Sequence, residues 1–329
     1  MSIVRMSGGL GNQVFQYIFA RYLEETINAR VLIDDMHYFL LEDEINYNKL
    51  NAPPVDHAEK QTHNGYEIEY VFPDITKPVL LSGYFDEDIW QYMKSEIKKS
   101  PFQRLGVPRQ LCENGLELSV LIESGSSDEL TGLRCPVYKT PANLYNSAVT
   151  SIPGDVYYHG DWINPGWFGK YRDKFLKEFS FRPIGDDKNK QYENEIKNSF
   201  AIGIHVRRGD FVRYNWALKE SYFYDTLTHL STQYPDSKYF VFSDDPLWCK
   251  ANKAEIGLSD KNTIFIEGNY DYKNNYIDMQ LMSMCNVLVE GNSCFSHLAS
   301  FLNQTPGFTA IKVRNPPADD LAGEIQRIM

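Results

Sequence analysis

Two adjacent arginines stand where an apolar run stops. Ala201-Ile-Gly-Ile-His205-Val206 reads as an apolar strand, and it ends in Arg207-Arg208-Gly209-Asp210. In open α/β sheets, ligands bind beyond the carboxyl ends of the strands. Paired guanidinium groups at such a place suit an anion, because their forks bind phosphate oxygens bidentately and do not lose their proton. The plain alternative is an Arg–Asp surface pair in which Asp210 neutralises one cation. Such pairs contribute at most about 1 kcal/mol, so nothing in the fold requires one there, and the anion site is the stronger reading.

Two further apolar runs end in polar groups. Tyr239-Phe-Val-Phe-Ser243-Asp244-Asp245-Pro246 offers carboxylates that could accept from a purine edge or a ribose, and Pro246 marks a helix start with an aspartate as N-cap. Val287-Leu-Val-Glu290-Gly291-Asn292-Ser293-Cys294-Phe295-Ser296 reads as strand, small polar turn and helix start, the other half of a phosphate cradle. A third loop, Ser7-Gly-Gly-Leu-Gly-Asn12, follows the first strand. Gly9 and Gly11 nearly fit a dinucleotide fingerprint, and Asp34 falls where a ribose-binding acid would, but the third glycine is missing. Asp86-Glu-Asp88 matches a DxD metal motif only superficially and reads as the acidic first turn of a helix. With no HxxxH, HExxH or CxxC spacing, no metal site is expected.

Alternating strands and helices must position these groups. Strands are expected at Ser2–Met6, Val31–Asp34, Val79–Phe85, Val156–His159, Phe200–Val206, Lys238–Ser243, Thr263–Glu267 and Asn286–Glu290. Helices are expected from about Gln13, over Glu87–Lys99, Pro165–Lys177, Ser221–Gln233, Leu247–Ile256 and Asn275–Met284, and over Ser293–Leu302. Residues 42–78 read mostly as loop and 100–150 as an inserted or connecting region. The pattern predicts an α/β fold of two βα-repeating domains, 1–152 and 153–329.

The 329 residues carry a formal charge of −11, which disfavours nucleic acid and makes any phosphate site a local basic spot. No stretch is apolar enough to span a membrane, which leaves room for peripheral contact, and no signal peptide is read at the start. The five scattered cysteines read as buried, reduced thiols in a cytoplasmic protein. Oligomeric state is not legible in the chain.

Taken together, Gly8-Gly-Leu-Gly-Asn-Gln-Val-Phe-Gln-Tyr17, His205-Val-Arg-Arg-Gly-Asp210, Phe242-Ser-Asp-Asp245 with Trp248, and Asp278 through Phe295-Ser296 resemble the α-1,2-fucosyltransferases of glycosyltransferase family 11. The resemblance implies two facing Rossmann-like domains with a cleft between them (the GT-B type), the donor GDP-β-L-fucose held on the C-terminal side, and the acceptor on the N-terminal side. It implies inverting transfer of fucose to the 2-hydroxyl of a terminal galactose without a metal or other cofactor. On the same ground Arg207 and Arg208 would grip the diphosphate and His205 and Asp245, beside Asp244, would lie near the guanosine. Asn292, Ser293, Cys294 and Phe295 would border the phosphates. Asn12, behind Gly9 and Gly11, would approach the reacting sugar, and Asp210 would orient the arginines. The family's usual Phe-Ser-Trp-Trp is here Phe295-Ser-His297-Leu298. Candidate bases for the acceptor hydroxyl are Asp34, Asp35, His37, His159, Asp161 and Glu220. Two other functions compete: an NAD-linked oxidoreductase built on the glycine loop and Asp34, and a non-catalytic sugar-nucleotide-binding protein.

Overall fold

The computed structural model describes residues 1–28, 30–40, 65–100, 103–123, 130, 133–259, 261–269 and 274–313, and the backbone of 326–327. Most of the loop expected over 42–78 lies outside these residues. The chain divides into two compact units, the first continuing to Ser180 and the second beginning at Phe181.

In the first unit β1 (Ser2–Arg5) leads into α1 (Leu10–Ile27), then β2 (Val31–Asp34), α2 (Met36–Leu40), α3 (Ile68–Val71) and β3 (Val79–Leu80). There follow α4 (Glu87–Lys99), α5 (Gly106–Glu113), β4 (Leu118–Ile122), β5 (Val137–Lys139), β6 (Asp155–His159) and α6 (Arg172–Glu178). The sheet order is β5-β4-β6-β1-β2-β3, all parallel, and a two-residue strand at Gln326–Arg327 adds antiparallel to β5.

Gly8, at φ +77°, makes a turn that a side chain would strain, and α1 begins right after it, at Leu10 rather than Gln13. Gly11 and Asn12 therefore lie in the first helical turn. Twelve of the 18 residues of α1 are buried, so it is a core helix and not an amphipathic surface helix. Its Phe19 ring stacks on Trp162 at 3.9 Å between centroids.

Several expectations change. The strand predicted over Val79–Phe85 stops at Leu80, where the chain enters a 3₁₀ turn at Leu81–Gly83. Residues 100–150 are no insertion: α5, β4 and β5 are integral, and Val120, Leu121 and Val137 are fully buried in the sheet. The strand at 155–159 pairs with β1 and β4, so it completes the first sheet and does not open the second unit. Alternation of strands and helices says which elements exist but not which sheet a strand joins, hence the boundary at 180 and not near 150. The helix predicted over Pro165–Lys177 is a 3₁₀ segment, Pro165–Tyr171, followed by α6, because Gly169 adopts φ 43°, ψ −133° and breaks it.

The second unit contains α7 (Asp187–Lys197), β7 (Ala201–Val206), α8 (Gly209–Arg213), α9 (Glu220–Gln233), β8 (Lys238–Ser243), α10 (Pro246–Ala251) and β9 (Thr263–Phe265). It continues with α11 (Asn275–Met282), β10 (Val287–Val289), α12 (Cys294–Leu302) and β11 (Thr309–Ile311). Its parallel sheet runs β11-β10-β7-β8-β9. α7 and β11 escaped the sequence reading. α7 is too polar to show an apolar stripe, and β11 is a three-residue edge strand.

Both units are Rossmann-like α/β layers. All five thiols are free; Cys249 and Cys285 are buried as expected, whereas Cys112, Cys135 and Cys294 are half-exposed. Among the described residues no helix is long and apolar enough to cross a membrane.

Candidate functional site

In the second unit, successive strands run outward from β7 through β8 to β9 on one side and through β10 to β11 on the other. β7 therefore sits at a topological switch point, where loops diverge and leave a crevice beyond the carboxyl ends. The residues of three sequence blocks meet there. His205, Arg207, Arg208 and Asp210 end β7. Asp244 and Asp245 end β8, and Asn292, Ser293, Cys294 and Phe295 end β10.

Arg207 donates from Nη2 to Asp210 Oδ1 at 2.6 Å, and its Nη1 lies 2.8 Å from Asp244 Oδ2. The other oxygen of Asp244 accepts from the Arg208 backbone N–H at 2.8 Å. One carboxylate thus fixes both the side chain of one arginine and the backbone of the next. Burial pushes the Asp244 carboxyl above its ordinary range, and the Arg207 charge opposes that push. Arg208 lies over the Trp248 ring at 3.5 Å, with Nε 3.6 Å from Asp245 Oδ2. Asp245 Oδ1 caps α10 by accepting from the Trp248 N–H at 3.0 Å, so the N-cap and the ion pair share one side chain. The arginines are 19% and 16% exposed, held in place and still open on one side. The Arg–Asp pair read as the plain alternative exists, and it holds both cations in fixed orientations.

His205 is buried, and burial next to the Arg207 cation lowers its pKa to about 3. The ring is neutral at neutral pH and lies 5.9 Å from that of Phe295. Gly291 packs against it so closely that a Cβ would stand 2.8 Å from the His205 carbonyl oxygen and 2.9 Å from Nδ1. Ser293 caps α12, its Oγ accepting from the Phe295 N–H at 3.3 Å, and Asn292 Nδ2 donates to the Trp216 carbonyl at 3.3 Å. His297, standing where a tryptophan is usual, turns its Nδ1 to the buried Glu290 carboxylate at 3.2 Å. A polar pair thus fills the position.

The first unit has its own switch point, between β1 and β6. Gly9, Gly11 and Asn12 lie there, and Asn12 Nδ2 donates to Asp161 Oδ1 at 3.3 Å. Glu123, immediately after β4, is buried, and its carboxylate accepts the backbone N–H groups of Asn143, Asp161 and Trp162 at 2.7, 2.8 and 2.8 Å. Gly160 leaves no room for a side chain: a Cβ would be 2.5 Å from that of Glu123. Desolvation raises the Glu123 pKa to about 7. Gln13 and Gln16 are also buried. Gln13 bonds the backbone of Gly8, Gly65, Glu67 and Ile68, and Gln16 bonds Ser7 and Gly160. Gln13 and Gln16 thus hold the glycine loop and Glu123 the segment after β6, and the sequence reading singled out none of the three. The signal for Glu123 was a carboxylate directly after an apolar run, masked by the Ser/Gly stretch behind it.

The candidate bases separate by environment. Asp34 is buried and accepts from the Tyr157 hydroxyl and the Met36 N–H, with its pKa raised to about 6 by desolvation. Asp35 is taken up by Ser82. His159 is buried and kept neutral by desolvation. His37 is half-buried, whereas Asp161 and Glu220 are exposed. Asp34 is therefore engaged inside the core and does not present itself to a ribose, which removes the acid on which the oxidoreductase alternative relied. Asp86 precedes α4 and Glu87 and Asp88 lie in its first turn, as read. Among the described residues, no group of three or more His, Cys, Asp or Glu side chains is arranged to hold a metal ion.

Residues 140–328 match the model of Glycosyl transferase family 11. The chain is similar to an Escherichia coli alpha-1,2-colitosyltransferase, 28% identical over 92% of this chain and 88% of that protein. It is 22% identical to the Escherichia coli O-antigen biosynthesis glycosyltransferase WbnK, over 91% of this chain and 89% of the other. A Bos taurus galactoside 2-alpha-L-fucosyltransferase, SEC1, is 23% identical over 51% of this chain and 53% of its own length.

Proposed function

Because the chain belongs to glycosyl transferase family 11, we propose that it transfers L-fucose from GDP-β-L-fucose, with inversion, to the 2-hydroxyl of a terminal galactose in cytoplasmic glycan or O-antigen synthesis. The observation that carries this reading is the clamp on Arg207 and Arg208 at the carboxyl ends of β7 and β8. Cleavage of the fucosyl–phosphate bond leaves negative charge on GDP. Cations already oriented by Asp210, Asp244 and Asp245 stabilise that charge more as it grows, which lowers the barrier and not merely the ground state. Arg207 and Arg208 take the diphosphate, the Ser293 turn and α12 face its other side, and neutral His205 with Asp245 borders the guanosine. In the first unit, Asn12 and the exposed Asp161 are the groups available to an acceptor hydroxyl.

The test is incubation with GDP-fucose and a panel of galactose-terminated acceptors, without added metal, and NMR of the product linkage. A new α-1,2 fucosyl signal is the expected result. The corresponding nucleotide donor of colitose belongs in the same panel, since a relative is named for that sugar. Exclusive use of the colitose donor would replace fucose as the transferred sugar. Binding of GDP-fucose with neither transfer nor hydrolysis would favour the non-catalytic reading.

A further inference from the structure

Just beyond the arginine clamp, the chain turns an aromatic pair outward. Helix α8 follows the two arginines, and the turn after it carries Tyr214 and Trp216. Their rings lie 5.1 Å apart at 35° and are 54% and 56% exposed, with Val212 exposed beside them. The backbone beneath is braced. Asn215 takes the left-handed conformation at φ 57°, which asparagine tolerates. The N–H groups of Trp216 and Ala217 both donate to the Phe211 carbonyl, at 2.7 and 3.1 Å. Two contacts join this turn to the candidate donor site. The Trp216 carbonyl accepts from Asn292, and the Trp216 ring packs edge-on at 5.6 Å against Phe211, over which Arg207 lies at 5.3 Å. Arg208 instead contacts Trp248 and Asp245. The aromatic pair therefore adjoins Arg207 and the Ser293 turn, whereas Asp245, assigned above to the guanosine, adjoins Arg208.

We propose that Tyr214 and Trp216 form an acceptor subsite, a platform that takes the apolar C–H face of a pyranose ring of the glycan. The proposal rests on the function proposed above and adds the residues of the second unit that meet the acceptor. The negative face of an aromatic ring attracts the positively polarised C–H groups of a sugar. Arg213 and Asn215, exposed among these side chains, suit the hydroxyls at the edge of the same ring. An exposed apolar patch rimmed by polar residues marks a binding surface. This one has three apolar side chains, enough for one or two sugar rings and far short of the roughly 20–30 residues that each side of a stable protein interface supplies. The position also fits. An acceptor must reach the donor at its diphosphate end, where the sugar is attached, and not at its base.

The experiment measures KM for a galactose-terminated acceptor and for GDP-fucose, together with the thermal shift given by GDP, in wild type, Trp216→Ala, Trp216→Phe and Tyr214→Ala. The hydrogen bonds of residue 216 are made by its backbone, and Tyr214→Ala keeps the Trp216–Phe211 contact, so melting should stay near wild type. Trp216→Ala should raise the acceptor KM about tenfold or more, as loss of a central tryptophan contact does, and Tyr214→Ala should raise it less. Trp216→Phe should stay close to wild type, and the GDP shift and the GDP-fucose KM should hold throughout. An unchanged acceptor KM in both alanine variants would overturn the subsite and leave fucosyl transfer standing. An equal rise in the GDP-fucose KM, or a lost GDP shift in Tyr214→Ala, would assign the rings to the donor and overturn it too. Absence of wild-type transfer to every galactose-terminated acceptor would sink the proposed function, and this subsite with it.

Discussion

Gly291 and His205 touch in a way that leaves no space for a single added carbon, the nearest atom being the His205 carbonyl oxygen at 2.8 Å. The turn after β10 is thereby pressed onto the end of β7, with the Phe295 ring 5.9 Å from that of His205. Gly291→Ala should force the two apart. We expect a loss of about 1–3 kcal/mol in stability, typical of overpacking, and a weaker thermal shift with GDP. A variant with wild-type melting and unchanged GDP response would show that the contact is incidental.

Arg207→Ala should lower the transfer rate roughly a hundredfold or more, because it removes a donor aimed at developing charge. Arg207→Lys should recover little of it, since an ammonium keeps the charge but not the planar fork between Asp210 and Asp244. Circular dichroism and melting should stay near wild type in both. Full activity in the alanine variant would refute the mechanism.

The Glu123 carboxylate holds three backbone N–H groups, so Glu123→Gln replaces an acceptor oxygen by an amide donor facing other donors. Stability should fall by about 1–3 kcal/mol, and the loop from Gly160 to Trp162 should exchange its amide hydrogens faster. Unchanged protection of the Asp161 and Trp162 amides would mean that the carboxylate is not what holds that loop.

His205 titrates at about 3 in the folded chain and near 6.5 unfolded. Between those values the unfolded state binds more protons, so the stability that the neutral ring preserves is complete above pH 6.5 and is lost as the pH falls toward 3. The full cost is on the order of 5 kcal/mol. Comparing the unfolding free energy of wild type and His205→Asn from pH 7 down to 5 should show a steeper fall in the wild type; parallel curves would contradict a buried neutral histidine.

Much of the second unit was legible because each strand there is an apolar run ending abruptly in polar residues, as Val206 gives way to Arg207 and Ser243 to Asp244. The first unit was harder. Its outer strands are short, and β4 is followed by the Ser/Gly stretch at 123–127 that reads as a linker. The assignment of Asp155–His159 to the wrong sheet has the same root, since pairing with β1 is a long-range fact that local pattern does not carry. His297 was visible only as a departure from a family pattern; its partner Glu290, seven residues earlier, supplies the reason a polar residue is tolerated there.

Up to Leu23, helix α1 is walled in on nearly every side. It therefore offers almost no tolerant surface on which sugar preference could be re-engineered, and most substitutions along it would act by loosening the core. Its amino-terminal turn is different, because Asn12 is only partly covered and meets Asp161. On the proposed function, a mutational library in the first unit meant to retune acceptor choice is best confined to Asn12 and the loop carrying Asp161, with the buried Leu10, Gly11 and Gln13 left untouched.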